Sequence, residues 1–210
     1  DTNTPANVRV VHASPDAPTV DVVVDNDFGS PLVPGLSFPE ATGYVAPPPG
    51  DYNIKVAPAG TPSAVIDADV TLEAGERYTV VAAGLAFGSP GIEPLVLVDD
   101  QRRVAPEAKV RLVHASTLAG EVDIYVTAPG ASLDTSTPAF TAVPFKADTD
   151  YVSLPAGTYD VSVTPTGSTT PAIGPVTLNL QAGGIYVAIA RDSAGPIEPL
   201  GLITLDDLAP

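Results

Sequence analysis

The stretch VRVVHASPDAPTVDVVVDN at residues 8–26 decides the fold, because it returns as VRLVHASTLAGEVDIYVTA at residues 110–128. A period of about half the chain is far longer than the roughly 20–50 residues of solenoid repeats, so each copy is expected to be a complete domain. Three more blocks recur in the same order: residues 50–60 and 157–167, 72–82 and 180–190, and 92–95 and 197–200.

The repeat predicts how the chain of 210 residues is divided. We place the first domain at residues 1–101, a short linker at residues 102–107, and the second domain at residues 108–210. The linker is polar and contains Pro106, as is typical of a boundary between domains.

Within each copy the apolar residues alternate with a period of two, and β-branched residues are enriched. The 24 Pro and 18 Gly residues punctuate the gaps between these short segments. The fold class predicted is all-β, with two tandem immunoglobulin-like antiparallel β-sandwich domains. Candidate strands of the first copy lie near residues 8–14, 20–25, 33–38, 42–47, 52–58, 65–72, 77–85 and 93–99.

Tyr78 and Tyr186 each follow a Gly turn at the start of a predicted strand. This arrangement fits the tyrosine corner of β-sandwiches, where the hydroxyl bonds nearby backbone. It fits an ordinary half-buried strand aromatic equally well, and the sequence leaves both interpretations open.

The run at residues 8–26, the G-x-Y motif at residues 50–52 and the L-x-A-G-x-x-Y motif at residues 72–78 resemble a known family. It is the secreted prokaryotic family called domain of unknown function 4397. The resemblance implies an exported sandwich domain, often in tandem, on bacterial or archaeal surfaces, and it implies no established activity. The second copy departs from the motif at residues 116–120, so no role of Asp16 is carried over to it.

The composition excludes several classes of function. With no Cys, the chain has no disulfides, no thiolate catalysis and no zinc–thiolate site. A net charge of −16 disfavours nucleic acid, and no apolar run is long enough for a membrane-spanning helix. The sequence begins with Asp1 rather than Met, which fits either a secreted protein whose signal peptide has been removed or a shortened chain. Of the two, we expect an extracellular or cell-surface protein after removal of its signal peptide.

The two histidines, His12 and His114, occupy the same position of the repeat. Each is followed by a serine and an aspartate at fixed spacing, and a hairpin of strands 8–14 and 20–25 would place the first set together. A hydrolase would also need an exposed nucleophile and an oxyanion hole, for which the sequence gives no sign. We therefore predict a structural hydrogen-bond network rather than catalysis, made by His12, Ser14, Asp21, His114, Ser116 and Asp123.

Acidic residues near the first predicted hairpin raise the question of calcium, which binds six to eight oxygen ligands. The candidates are Asp16, Asp25 and Asp27, with Asp21 nearby. No EF-hand or nonapeptide calcium motif accompanies them, so we expect solvated turn carboxylates, no metal and no cofactor.

Three hypotheses for function follow from these observations. The first is a non-catalytic extracellular or cell-surface structural protein that binds itself or other surface proteins, including assembly into a larger structure or filament. The second is an envelope-associated module that binds a ligand or a glycan. The third is a hydrolase that uses His12, Ser14 and Asp21, and it is the one that the sequence favours least.

Overall fold

The computed structural model describes residues 4–193, 195 and 199–207. The outermost residues of the two predicted domains, and residues 197 and 198 of the last repeated block, lie outside this part. The chain divides into two compact units, residues 1–100 and 101–210. Glu107, predicted as the end of the linker, is the first residue of a strand. No helix in the described part is long and apolar enough to cross a membrane.

The described residues of the first domain form seven strands in two sheets. The first sheet has the order β1-β6-β7, and the second has the order β3-β2-β4-β5. The strands are β1 (Asn7–His12), β2 (Val20–Val24), β3 (Val33–Leu36), β4 (Gly50–Pro58), β5 (Ile66–Leu72), β6 (Arg77–Ala83) and β7 (Glu93–Val98).

The second domain repeats this plan with one additional strand and a short 3₁₀ turn at Leu133–Thr135. Its sheets have the orders β11-β8-β14-β15 and β10-β9-β12-β13. The strands are β8 (Glu107–His114), β9 (Val122–Thr127), β10 (Phe140–Val143), β11 (Asp148–Pro155), β12 (Gly157–Pro165), β13 (Ile173–Leu180), β14 (Ile185–Arg191) and β15 (Gly201–Asp206).

The seven strands common to both domains pair in the same way, and β11 adds a pair with β8 in the second domain. Within the residues that the structure describes, all strand pairs are antiparallel except β1 with β6 and β8 with β14, which are parallel. Their registers agree, because Val8 lies opposite Tyr78 and Val110 lies opposite Tyr186. The all-β class and the two β-sandwich domains are thus confirmed, with one parallel pair in each.

The predicted strand at residues 42–47 is wrong as a continuous strand. This segment runs beside β1 but forms only two isolated bridges, from Ala41 to Val11 and from Val45 to Val8. The prolines at residues 47–49 have no N–H to donate, so this segment cannot extend a regular ladder, although the carbonyl oxygen of Pro47 still accepts the N–H of Ala6 at 3.0 Å. In the second domain the corresponding segment forms β11.

Each core lies between its two sheets. In the second domain, alternate residues of β8 and β14 pack against alternate residues of β9, β12 and β13, as expected of facing sheets. The central residues of the two cores are Val10, Val20, Val22, Ile54, Val56 and Ile66 in the first domain and Val110, Leu112, Val122, Ile124, Val161 and Val163 in the second.

Both candidate tyrosine corners have the expected hydrogen bond. The hydroxyl of Tyr78 accepts from the backbone N–H of Glu73 at 3.0 Å, and that of Tyr186 accepts from Gln181 at 3.0 Å. Both residues are therefore tyrosine corners rather than ordinary half-buried aromatics of a strand.

Candidate functional site

The histidine of the first domain closes the turn between β1 and β2. His12 is buried, and its Nδ1 accepts the backbone N–H of Ser14 at 3.3 Å. Its Nε2 lies 3.1 Å from the carbonyl oxygen of Pro18. The edge of the ring meets Phe38, at 6.2 Å between ring centres.

The histidine of the second domain makes the same contacts. Nδ1 of His114 accepts the N–H of Ser116 at 3.3 Å, and Nε2 lies 2.6 Å from the carbonyl oxygen of Gly120. Phe145 meets the ring edge at 6.4 Å, as Phe38 does in the first domain. Neither phenylalanine was singled out from the sequence, although they occupy equivalent positions.

These contacts determine the protonation state of both rings. Since Nδ1 accepts a hydrogen bond, the proton lies on Nε2, which donates to a backbone carbonyl. Burial lowers the pKa of His12 and of His114 below 6.5, and the hydrogen bond to the carbonyl opposes this shift. Both imidazoles are therefore neutral, and both ring nitrogens are occupied by the backbone.

The serines do not form a relay with the histidines. The hydroxyl of Ser14 donates to Asp16 at 3.3 Å, and the hydroxyl of Ser116 donates to Asp192. A nucleophilic serine would instead need to donate to the imidazole that removes its proton. The contacts of the described residues thus do not form a Ser–His–Asp set in either domain.

The predicted hairpin that would join His12 to Asp21 is wrong. Strand β1 pairs with β6, whereas β2 lies in the opposite sheet between β3 and β4. The residues between β1 and β2 cross from one sheet to the other, and the hydrogen bonds of His12 and Asp16 fix this crossing. Asp21 is therefore not part of the histidine network, and Asp123 is separated from His114 in the same way.

Both aspartates instead join two loops of their own sheet. Asp21 accepts the N–H groups of Gly35 and Gly60, each at 2.8 Å. In the second domain, Asp123 accepts from Ala142 at 2.9 Å and from Gly167 at 2.8 Å. A buried carboxylate that accepts two backbone N–H groups satisfies donors that would otherwise be costly to bury.

In the first domain a second carboxylate joins the β1–β2 segment to the loop after β6. Asp16 accepts the N–H of Ala86 at 2.6 Å and the N–H of Phe87 at 3.0 Å. Phe87 is 89% exposed, so this contact holds the backbone beneath an aromatic side chain that projects outward.

In the second domain the corresponding carboxylate comes from the opposite loop. Asp192 follows β14, is fully buried, and accepts the N–H groups of Thr117 and Leu118, each at 3.0 Å. The Thr117 hydroxyl also donates to Asp192, at 2.7 Å. By strand register Asp192 corresponds to Gly84, so comparison of the repeats could not reveal it.

Asp16 does not come together with the other two calcium candidates, Asp25 and Asp27. Asp16 lies before β2 and Asp25 lies after it, so the length of that strand separates them. One oxygen of Asp25 accepts the N–H of Asn53 at 3.1 Å, while Asp16 binds the backbone of another loop. Among the described residues, no group of three or more His, Asp or Glu side chains is arranged to hold a metal ion.

Fold and hydrogen bonding thus define a tandem β-sandwich protein whose polar residues fix loops at one end of each domain. Residues 6–125 and 129–210 match the family described as "Domain of unknown function (DUF4397)". The chain belongs to this family, and the resemblance noted from the sequence is confirmed. No curated protein matches the sequence.

Solved structures show only distant similarity. The Bacillus anthracis TIE protein is 12% identical, with a TM-score of 0.29 over 91% of this chain. The chain spans about a third (34%) of the length of that protein. The family 26 carbohydrate-binding module CBMbc of Eubacterium rectale Amy13K, solved with maltoheptaose, is 8% identical with a TM-score of 0.30 over 97% of this chain and 98% of that one. A leucine-rich repeat protein of Bacteroides thetaiotaomicron is 14% identical with a TM-score of 0.23, over 91% of this chain and 26% of that one. Similarities of this size do not establish a shared fold or function.

Proposed function

We propose that this chain is a non-enzymatic interaction protein of the cell exterior that binds copies of itself. The observation that carries the proposal is Phe87, which is 89% exposed on a loop held by Asp16. Rigid, exposed aromatics contribute binding energy at low cost in conformational entropy. Leu118 is 60% exposed at the same end of the second domain, and its N–H is held by Asp192.

The hydrogen bonding of the histidines supports a role without catalysis. A general base must be free to take a proton from a substrate or a nucleophile. In His12 and His114, backbone groups occupy both ring nitrogens, and both rings are buried. The location outside the cell belongs to the same proposal, and surface labelling of intact cells of the source organism tests it.

The edge strands favour association through loops or faces rather than by addition of a strand. Edge strands of the described sheets carry Pro34 in β3, Pro94 in β7 and Pro175 in β13. Exposed Asp67 and Asp69 lie along the edge strand β5. Proline and charge at sheet edges disfavour pairing with another chain.

Sedimentation velocity over a wide range of protein concentration tests the proposal. We expect a concentration-dependent increase in mass for the wild type, and a loss of about 2 kcal/mol of association free energy for Phe87→Ser, as for a central aromatic contact. The control is Val65→Ser, which removes an exposed apolar side chain elsewhere in the first domain. A wild-type monomer at all concentrations, or equal association of Phe87→Ser and wild type, would contradict self-association.

A further inference from the structure

The first domain has a cleft between its two sheets, at the end opposite His12. Its volume is about 580 Å³. Val8 of β1, Ile54 of β4 and Leu72 of β5 form an apolar floor. This size, with an apolar lining and few polar groups, is typical of sites for small organic molecules.

The mouth of the cleft is negatively charged. Asp25 and Asp27 line it and are exposed, and none of the described lining residues is Lys or Arg. Residues 1–100 carry 14 acidic and 3 basic side chains, so the surrounding potential also attracts cations. Tyr52 lines the same cleft, and aromatic rings attract cations.

The second domain has a neutral counterpart at the same place in the fold. Its cleft has a volume of about 390 Å³ and is lined by Val110, Val126 and Tyr159, which correspond to Val8, Val24 and Tyr52. Thr127 replaces Asp25 at the end of the strand, and none of the residues that line this second cleft is acidic. The equivalent ends of the two sandwiches therefore differ in charge.

We propose that the cleft of the first domain binds a small organic cation with an apolar body, such as an aryl-alkyl amine. The apolar part lies against Val8, Ile54 and Leu72, and the ammonium group lies between Asp25 and Asp27. Burial of the apolar part supplies affinity, and the carboxylates supply the preference for positive charge. This site is separate from the association surface at Phe87 and does not depend on it.

Two-dimensional ¹H–¹⁵N NMR of the full chain tests the site, with tryptamine as the probe. Its neutral analogue, tryptophol, has a hydroxyl where tryptamine has the ammonium group. We expect tryptamine to shift backbone signals of the loop after β2 and of Tyr52, and to bind at least about fivefold more tightly than tryptophol at low salt. The preference should decrease as NaCl is added.

The double variant Asp25→Asn/Asp27→Asn removes the charge but retains an oxygen that can accept the Asn53 N–H. We expect it to lose the preference for tryptamine while its affinity for tryptophol is unchanged. The matched control is Glu40→Gln/Asp69→Asn, which removes two exposed carboxylates that do not line the cleft. Equal binding of the two probes, shifts only at the second cleft, no shifts at all, or wild-type affinity in the double variant would each overturn the proposal.

Discussion

At the scale of single residues, His12 and His114 stabilise a crossing between two sheets rather than take part in a reaction. Each ring accepts one backbone N–H and donates to one backbone carbonyl within the same segment. Protonation would put a second N–H opposite the serine N–H and would charge a buried ring. The neutral form is therefore part of the folded state.

This requirement predicts a dependence of stability on pH. The pKa of each histidine is lowered below 6.5, chiefly by burial, so between the folded pKa values and 6.5 the unfolded chain binds more protons than the folded one. The free energy of unfolding is then highest above pH 6.5, falls as the pH is lowered through the folded pKa values, and levels off beneath them. Urea unfolding at a series of pH values measures the free energy of unfolding, and NMR titration of the two rings measures their pKa values.

A variant isolates the contribution of one histidine. His114→Gln removes the titrating group while its amide can still donate to the Gly120 carbonyl, so the pH dependence of the second domain should flatten. Asp160 acts at lower pH, because the Gly130 N–H and the Thr177 hydroxyl lower the pKa of its carboxyl below 3.8. A ring that titrates at or above 6.5 would show that the contacts described here do not hold in solution.

The carboxylates of Asp16 and Asp192 show how two copies of a fold can keep a contact between two loops while the carboxylate moves from one loop to the other. Asp16 reaches from the β1–β2 segment to the loop after β6, whereas Asp192 reaches back from the loop after β14. Leu118 occupies the position of Asp16, and Gly84 occupies that of Asp192. Each domain thus has one carboxylate that joins the same two loops, supplied by one loop in the first domain and by the other loop in the second.

At the scale of strands and loops, the sequence predicts which segments are strands but not which sheet each strand joins. The repeat and the alternation of apolar residues place β1, β2, β4 and β6 close to where the structure has them. The alternation of apolar residues reflects the local geometry of a strand, which the sequence encodes directly. Neighbouring strands in the chain often pair, and this expectation failed for β1 and β2 because the link between them crosses the sandwich.

The missed site residues share a physical cause. Asp192 contacts Leu118, 74 residues away, and its equivalent in the first domain is a glycine. Neither spacing along the chain nor comparison of the copies could indicate such a contact. The exposure of Phe87 likewise depends on the loop geometry that Asp16 sets, rather than on any pattern in the sequence.

The loop after β6 gives a prediction at this scale, because Gly84 has no room for a side chain. Its φ is +103°, and a Cβ there would lie 2.2 Å from the carbonyl oxygen of Gly91. We expect Gly84→Ala to destabilise the first domain by about 2–4 kcal/mol through this clash and the strained backbone. Thermal unfolding measures the loss.

Gly91→Ala is the matched control, since a Cβ at Gly91 would meet no atom within 4 Å. Its effect should stay within about 0.5 kcal/mol, as for most surface substitutions. Equal stability of Gly84→Ala and wild type would mean that the loop can rearrange to accept a side chain. Lack of space would then not explain why residue 84 is a glycine where the second domain has Asp192.

At the scale of the whole molecule, the two domains have kept one fold and diverged in charge. Residues 1–100 carry 14 acidic and 3 basic side chains, against 11 and 6 in residues 101–210. The net charge of −16 is therefore concentrated in the domain whose cleft has an acidic mouth. Repulsion between like charges opposes compaction, so the first domain carries the larger electrostatic cost of folding.

Raising the salt concentration should therefore stabilise the first domain more than the second. The Debye length falls from about 10 Å at 0.1 M to about 3 Å at 1 M salt, which screens repulsion across a domain surface. Scanning calorimetry in increasing NaCl measures the Tm of each domain. The two transitions are assigned with the variant Gly84→Ala, which should lower the Tm of the first domain alone. Salt also strengthens apolar burial, but that effect acts on both cores, so the difference between the two shifts isolates the charge. A difference of zero or of opposite sign would show that the acidic surface, although it attracts cations to the cleft, does not oppose folding of the domain that carries it.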